Sequence, residues 1–184
     1  MSKLETNQVD PATGTTLTLG TSGDTVAIPS GVTIANSGTA TGFGEAMIPA
    51  FHAYNSADQN ISASTLTQVI FNTEIYDTDS AFASNQFTVP SGKAGKYFVY
   101  FRLGFASGTD FTFQVTVQIN SSFNADSGFR VNGENQYYNN HFSGQVLDLA
   151  AGDVVRVMIY QGNGTHNISG TENRANFGAY RIIT

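Results

Sequence analysis

The chain has 184 residues, a formal net charge of −6, only 12% charged side chains and no cysteine. Its 40% hydrophobic content, with 14 Phe and 8 Tyr, supplies a core and argues against wholesale disorder. The three lysines, Lys3, Lys93 and Lys96, form no basic stripe, which argues against nucleic-acid binding, and no run approaches the roughly 18 apolar residues of a membrane helix.

The first ten residues, MSKLETNQVD, are polar and lack the apolar segment of a signal peptide, so synthesis in a cytoplasm is expected. In residues 11–44 the only ionisable side chain is Asp24. The pairs Leu17/Leu19, Val26/Ile28 and Val32/Ile34 alternate with period two between Gly20, Gly23, Gly31 and Gly38. Each pair predicts one tiny strand, too short to fold alone. One chain would leave such an apolar edge wet, whereas three chains around an axis would cover it. A flexible Gly/Thr-rich linker is the alternative. Gly42-Phe43-Gly44 is read as a hinge. The expected organisation is an anchor and shaft over 1–44 and a head domain over 45–184.

The head reads as strands throughout. Candidates are 47–54, 65–72, 81–89, 96–106, 111–120, 129–132, 141–149, 154–161 and 176–183. Turn signals separate them, among them Ser107-Gly108-Thr109-Asp110, Asn132-Gly133 and Ala151-Gly152-Asp153. Many short strands at this spacing, with no 3.6-residue period, predict an antiparallel sandwich or jelly roll. The run Phe87–Phe105 is the most informative. Pro90 stops a short strand, since proline cannot donate to a ladder. From Tyr97 onward, Tyr97, Val99, Phe101, Leu103 and Phe105 share one face, and Phe98, Tyr100, Arg102 and Gly104 share the other. A strand apolar on both faces is buried on both. In an antiparallel protein the second face then needs another sheet or another subunit. Phe98, Phe101 and Phe177 are therefore expected inside the jelly roll or at a trimer axis.

An ordered set of residues carries a family resemblance. Pro49-Ala50-Phe51 is followed by Val69-Ile70-Phe71-Asn72, Phe87-Thr88-Val89-Pro90 and Gly95-Lys96-Tyr97-Phe98. Ser143-Gly144-Gln145-Val146-Leu147, Gly152-Asp153 and Asn176-Phe177-Gly178-Ala179-Tyr180 come later. This order resembles the globular head of complement subcomponent q and the tumour necrosis factor superfamily, over roughly residues 49–184. The resemblance implies a ten-stranded antiparallel jelly roll that forms a tight homotrimer and binds a partner at its tip. The collagen stalk of animal members is absent, with no Gly-X-Y run. The Thr/Gly-rich segment in its place is similar to the shaft-side repeats of bacteriophage fibre and virion proteins.

Catalytic motifs are not found. His52, His141 and His166 form no close pair, so no transition-metal site is expected. Gly92-Lys93 and Gly95-Lys96 lack the Ser or Thr of a phosphate-binding loop. Glu74, Asp77 and Asp79 fit no complete calcium loop and read as a solvated turn. No enzyme activity and no cofactor are expected.

If strands alternate up and down, the turns 107–110, 133–140 and 162–174 gather at the far tip, and those near 120–126 and 150–153 lie at the stalk end. The tip is aromatic and amide-rich, a mixture suited to adaptable recognition. Tyr137, Tyr138, Asn139, His166 and Arg174 are the candidate receptor-binding residues. The expected protein is a trimeric virion fibre or spike, anchored to other virion proteins through residues 1–44. Its head contacts a host surface glycan or protein. A capsid or tail decoration protein without receptor binding, and a free soluble lectin-like trimer, are the alternatives.

Overall fold

The computed structural model describes residues 9–38, 47–107, 112–131, 140–170 and 174–183. The chain forms two compact units, Met1–Phe43 and Gly44–Thr184.

The described part of the first unit, 9–38, holds no strand, contrary to the three tiny strands expected. Gly14, Gly20, Gly23 and Gly31 all take positive φ and turn the chain before a ladder can extend. Local bonds hold the turns instead. The Thr21 amide donates to the Asp24 carboxylate at 2.7 Å, and the Asn36 side chain donates to the Gly38 carbonyl at 2.9 Å. The six alternating apolar residues are exposed, Leu19 by 65% and Val26 by 58%.

The second unit is an antiparallel jelly roll with no helix among its described residues. Its strands are β1 (Ala50–Tyr54), β2 (Gln59–Ser62), β3 (Thr67–Gln68), β4 (Thr73–Asp77), β5 (Phe82–Ala83), β6 (Gln86–Thr88) and β7 (Gly95–Ser107). They continue with β8 (Phe113–Ile119), β9 (Ser122–Val131), β10 (Asn140–Leu149), β11 (Val154–Gln161), β12 (Thr165–Ile168) and β13 (Asn176–Ile183). One sheet runs β2-β12-β7-β13-β1-β4, with β10 on the other edge of β7. The second runs β5-β6-β11-β8-β9, with β3 added to β11.

Among the described residues the expected ten strands are divided into thirteen shorter ones. The expected strand 65–72 shrinks to two residues. There the Gln59 side chain donates to the Gln68 carbonyl at 2.8 Å and accepts from the Ile70 amide at 2.9 Å. The expected strand 81–89 is a hairpin, turned at Ser84 and Asn85 with φ of 52° and 62°. β9 begins at Ser122, so the turn expected over 120–126 closes within two residues, and 129–132 is only the end of that strand. The strands β2, β4 and β12 had no clear apolar alternation and were not expected.

Period-two alternation builds the core between the sheets. Tyr97, Val99, Phe101, Leu103 and Phe105 of β7 are all fully buried, as are Phe51 of β1 and Phe177 of β13. The facing sheet contributes Phe87, Val115, Val117, Val155, Val157 and Ile159. Phe51 stacks on Phe82 with centroids 4.7 Å apart and meets Phe177 edge-on at 4.9 Å, both favoured aromatic arrangements. The Tyr97 hydroxyl escapes the core by donating to the Lys93 carbonyl at 2.5 Å, and burial pushes its pKa up to about 12.

The up-and-down register sorts the connections by end. Ser107, Phe113, Val131, Asn140, Gln161 and Thr165 bound connections at one end. The other end carries the turns after β8 and β10 and the start of β1. Asn120 and Asp153 join those two turns. The Asn120 side chain donates to the Asp153 carboxylate at 2.6 Å and accepts from the Val154 amide at 2.9 Å.

Candidate functional site

The outer face of the first sheet is a flat aromatic surface. Alternation along β7 sends Phe98, Tyr100 and Arg102 outward, opposite the buried set. Phe98 is thus half-buried on this outer face rather than inside the jelly roll as one branch of the expectation had it. The second sheet covers only one side of β7. Register sets Val146 of β10 and Tyr180 of β13 beside Phe98. It sets Gly144 and Gly178 beside Tyr100, and Phe142 and Asn176 beside Arg102. His52 of β1 lies across Gly178, and Tyr76 of β4 lies across His52.

Two glycines let the rings lie flat. A Cβ on Gly178 would collide with the Tyr100 ring, and one on Gly144 would stand 2.7 Å from the Phe98 ring. Tyr100 therefore lies over Gly178 and reaches His52, its hydroxyl 2.7 Å from the His52 Nδ1. The rings follow one another across the sheet. Phe142 to Tyr100 is 6.4 Å between centroids, Tyr100 to His52 is 5.8 Å and His52 to Tyr76 is 6.3 Å. Phe98 sits 5.6 Å from Tyr180.

This face is apolar yet open. Phe142 is 63% exposed, Val146 55% and Tyr76 45%. Its titratable centre is held neutral. Burial, and then the Arg102 charge, push the His52 pKa down, while burial and the neighbouring Tyr76 push Tyr100 up to about 12. An ion pair between Lys96 and Asp148, 3.1 Å apart, marks the solvent-facing margin. Phe98 and Tyr100 were legible as the second apolar face of β7. His52, Phe142 and Tyr76 were not, because only sheet order brings their three strands alongside it.

The candidate receptor residues are placed unevenly. Tyr137, Tyr138 and Asn139 lie outside the described residues. His166 is not on a loop but in β12, opposite Ile61, with its Nε2 3.0 Å from the Asn163 carbonyl. Arg174 packs by Gly104 and Asn140, near the end of β7 where β12 also pairs. Both therefore lie at the end bounded by Ser107 and Asn140. Asp77, weighed as a calcium ligand, caps a turn, accepting from the Ala81 and Phe82 amides at 3.0 and 2.8 Å. Among the described residues no group of three or more His, Cys, Asp or Glu could hold a metal ion.

Solved structures share this arrangement. The globular domain of zebrafish complement 1qA matches with a TM-score of 0.54 at 20% identity, covering 73% of this chain and 97% of that one. The fold is the complement 1q and tumour necrosis factor jelly roll. Murine APRIL, crystallised at pH 5.0, matches this jelly roll with a TM-score of 0.57 at 16% identity, over 72% of this chain and 98% of its own. Eiger TNF from S. frugiperda matches at 0.50 and 18% identity, over 73% and 92%. At these identities the likeness is one of fold. No protein-family model and no curated protein matches the chain.

Proposed function

We propose that the chain is a non-enzymatic virion structural protein, a homotrimeric phage fibre or spike whose jelly-roll head contacts a host surface receptor. The observation that carries this reading is the flat, open aromatic face of β10, β7, β13, β1 and β4. Contiguous exposed apolar surface of this kind marks an association site. Closed symmetry is the usual outcome of self-association, and three copies about an axis would cover the face on each.

Residues 1–44 suit anchoring. Their apolar pairs Leu17/Leu19, Val26/Ile28 and Val32/Ile34 are exposed rather than packed in a core. This supports docking into other virion proteins, in a particle assembled in the host cytoplasm. The receptor-binding end is the one bounded by Ser107 and Asn140, where His166 and Arg174 lie and where Tyr137, Tyr138 and Asn139 connect β9 to β10. Three copies would let weak single contacts sum to firm attachment.

The test is adsorption to host cells by the Tyr137→Ala, Tyr138→Ala double variant in the assembled particle. The expected result is loss of adsorption with trimer melting unchanged. Adsorption equal to the parent would overturn the receptor role and leave a decoration role.

A further inference from the structure

The outer face of the second sheet carries a groove of about 400 Å³ lined by Leu66, Gln114, Thr116, Phe123 and Tyr160. We propose that this groove binds a saccharide. The proposal does not depend on the virion reading.

The groove exists because the ladder between β8 and β9 breaks there. Val115 pairs with Phe129 but Val117 pairs with Asn124, so a stretch of β9 bows away opposite Thr116. Thr116, only 6% exposed, becomes the floor. On the other side β11 sets Tyr160 directly against Gln114. Leu66 precedes β3, whose Thr67 pairs with Ile159 beside Tyr160. Phe123 closes the far wall from the start of β9.

The chemistry is mixed in a specific way. Tyr160 and Phe123 contribute aromatic rings, 41% and 56% exposed, to the lining. Between them stand a carboxamide from Gln114 and a hydroxyl from Thr116, the latter directed to the Val117 carbonyl at 3.3 Å. A pyranose ring has the matching pattern, with an apolar C–H face and a rim of hydroxyls. A wholly apolar ligand would strip water from the exposed Gln114 amide without replacing it, which is costly.

A second compartment of about 140 Å³ shares Tyr160 and Gln114 and runs on to Thr112 and Gly162. Its rim is held in place. The Gly162 amide donates to the Thr112 carbonyl at 2.8 Å, and the Thr112 amide donates to the Asn163 side chain at 3.3 Å. Two neighbouring compartments that share Tyr160 and Gln114 suit two linked sugar rings.

The test is saturation-transfer NMR of the full chain with maltose, lactose and N,N′-diacetylchitobiose, each alone. Transfer to the C–H protons of at least one disaccharide is expected. Tyr160→Ala and Phe123→Ala should each weaken that binding about tenfold, the scale of one aromatic contact. Tyr160→Phe should retain it. No transfer from any of the three, or binding indifferent to Tyr160→Ala, overturns the proposal. If Tyr160→Ala fails to melt cooperatively, Gln114→Leu at an exposed position decides. Binding equal to the parent would then sink the idea.

Discussion

The Tyr100 hydroxyl lies 2.7 Å from the His52 Nδ1, across a gap that only Gly178 leaves open. Tyr100→Phe removes only the hydroxyl, with its contacts to His52 and Tyr76, and should cost on the order of 1 kcal/mol. Gly178→Ala should cost more, because its Cβ would meet both the Tyr100 ring and the Phe51 backbone carbonyl, the latter at 2.9 Å. Thermal melting of the two variants ranks them. Equal melting would show that the Tyr100 ring does not lie over Gly178.

Two half-buried histidines, His52 and His141, make stability depend on pH. His52 and His141 both have folded pKa values below the ordinary 6.5, by burial in each case, with the Arg102 charge adding at His52. The unfolded chain therefore takes up protons first as pH falls. Stability is fully present above about pH 6.5 and declines below it, through the lowered folded values. Melting temperatures at pH 7.5 and pH 5.5 should differ in that direction. His52→Asn combined with His141→Asn should flatten the difference. A parent chain that melts higher at pH 5.5 would refute the sign.

Association through the aromatic face predicts a particle of three times 19.6 kDa by light scattering. Phe142, 63% exposed, can be changed without opening the core. Phe142→Asp should give a folded monomer, since an unpaired charge cannot be buried cheaply at an interface. A parent monomer, or a variant that stays trimeric, would place the interface elsewhere.

Inside the sandwich, Phe101→Ala and Phe177→Ala should each lower stability by about 3–5 kcal/mol, measured by denaturant unfolding. Phe98→Ala removes a half-buried ring on the outer face. Its effect should depend on protein concentration, as expected when stability is linked to assembly. A concentration-independent loss at Phe98 as large as at Phe177 would contradict the outward placement.

The buried core lies wholly between Phe51 and Ala179, and none of the described residues 9–38 is buried. The truncated head should melt like the parent head yet fail to enter the particle. Normal incorporation of the truncated chain would remove the anchoring role.

The all-β class and the inward face of β7 were readable in the order of residues, because period-two alternation needs only the local pleat. Tyr97, Val99, Phe101, Leu103 and Phe105 could be assigned to one face by counting. The same counting showed that Phe98 and Tyr100 shared a second apolar face. What covers that face depends on sheet order, which alternation does not carry. Only the tertiary structure brought His52, Tyr76 and Phe142 alongside Tyr100, through pairings among β4, β1, β13, β7 and β10. The short strands β2, β4 and β12 escaped for a related reason. Their residues are polar or irregular, and pairing with neighbours, not their own pattern, makes them strands. The groove over Thr116 was invisible in the chain because it arises from a broken ladder between two strands. Local sequence specifies which way a side chain points; long-range pairing decides which side chains meet.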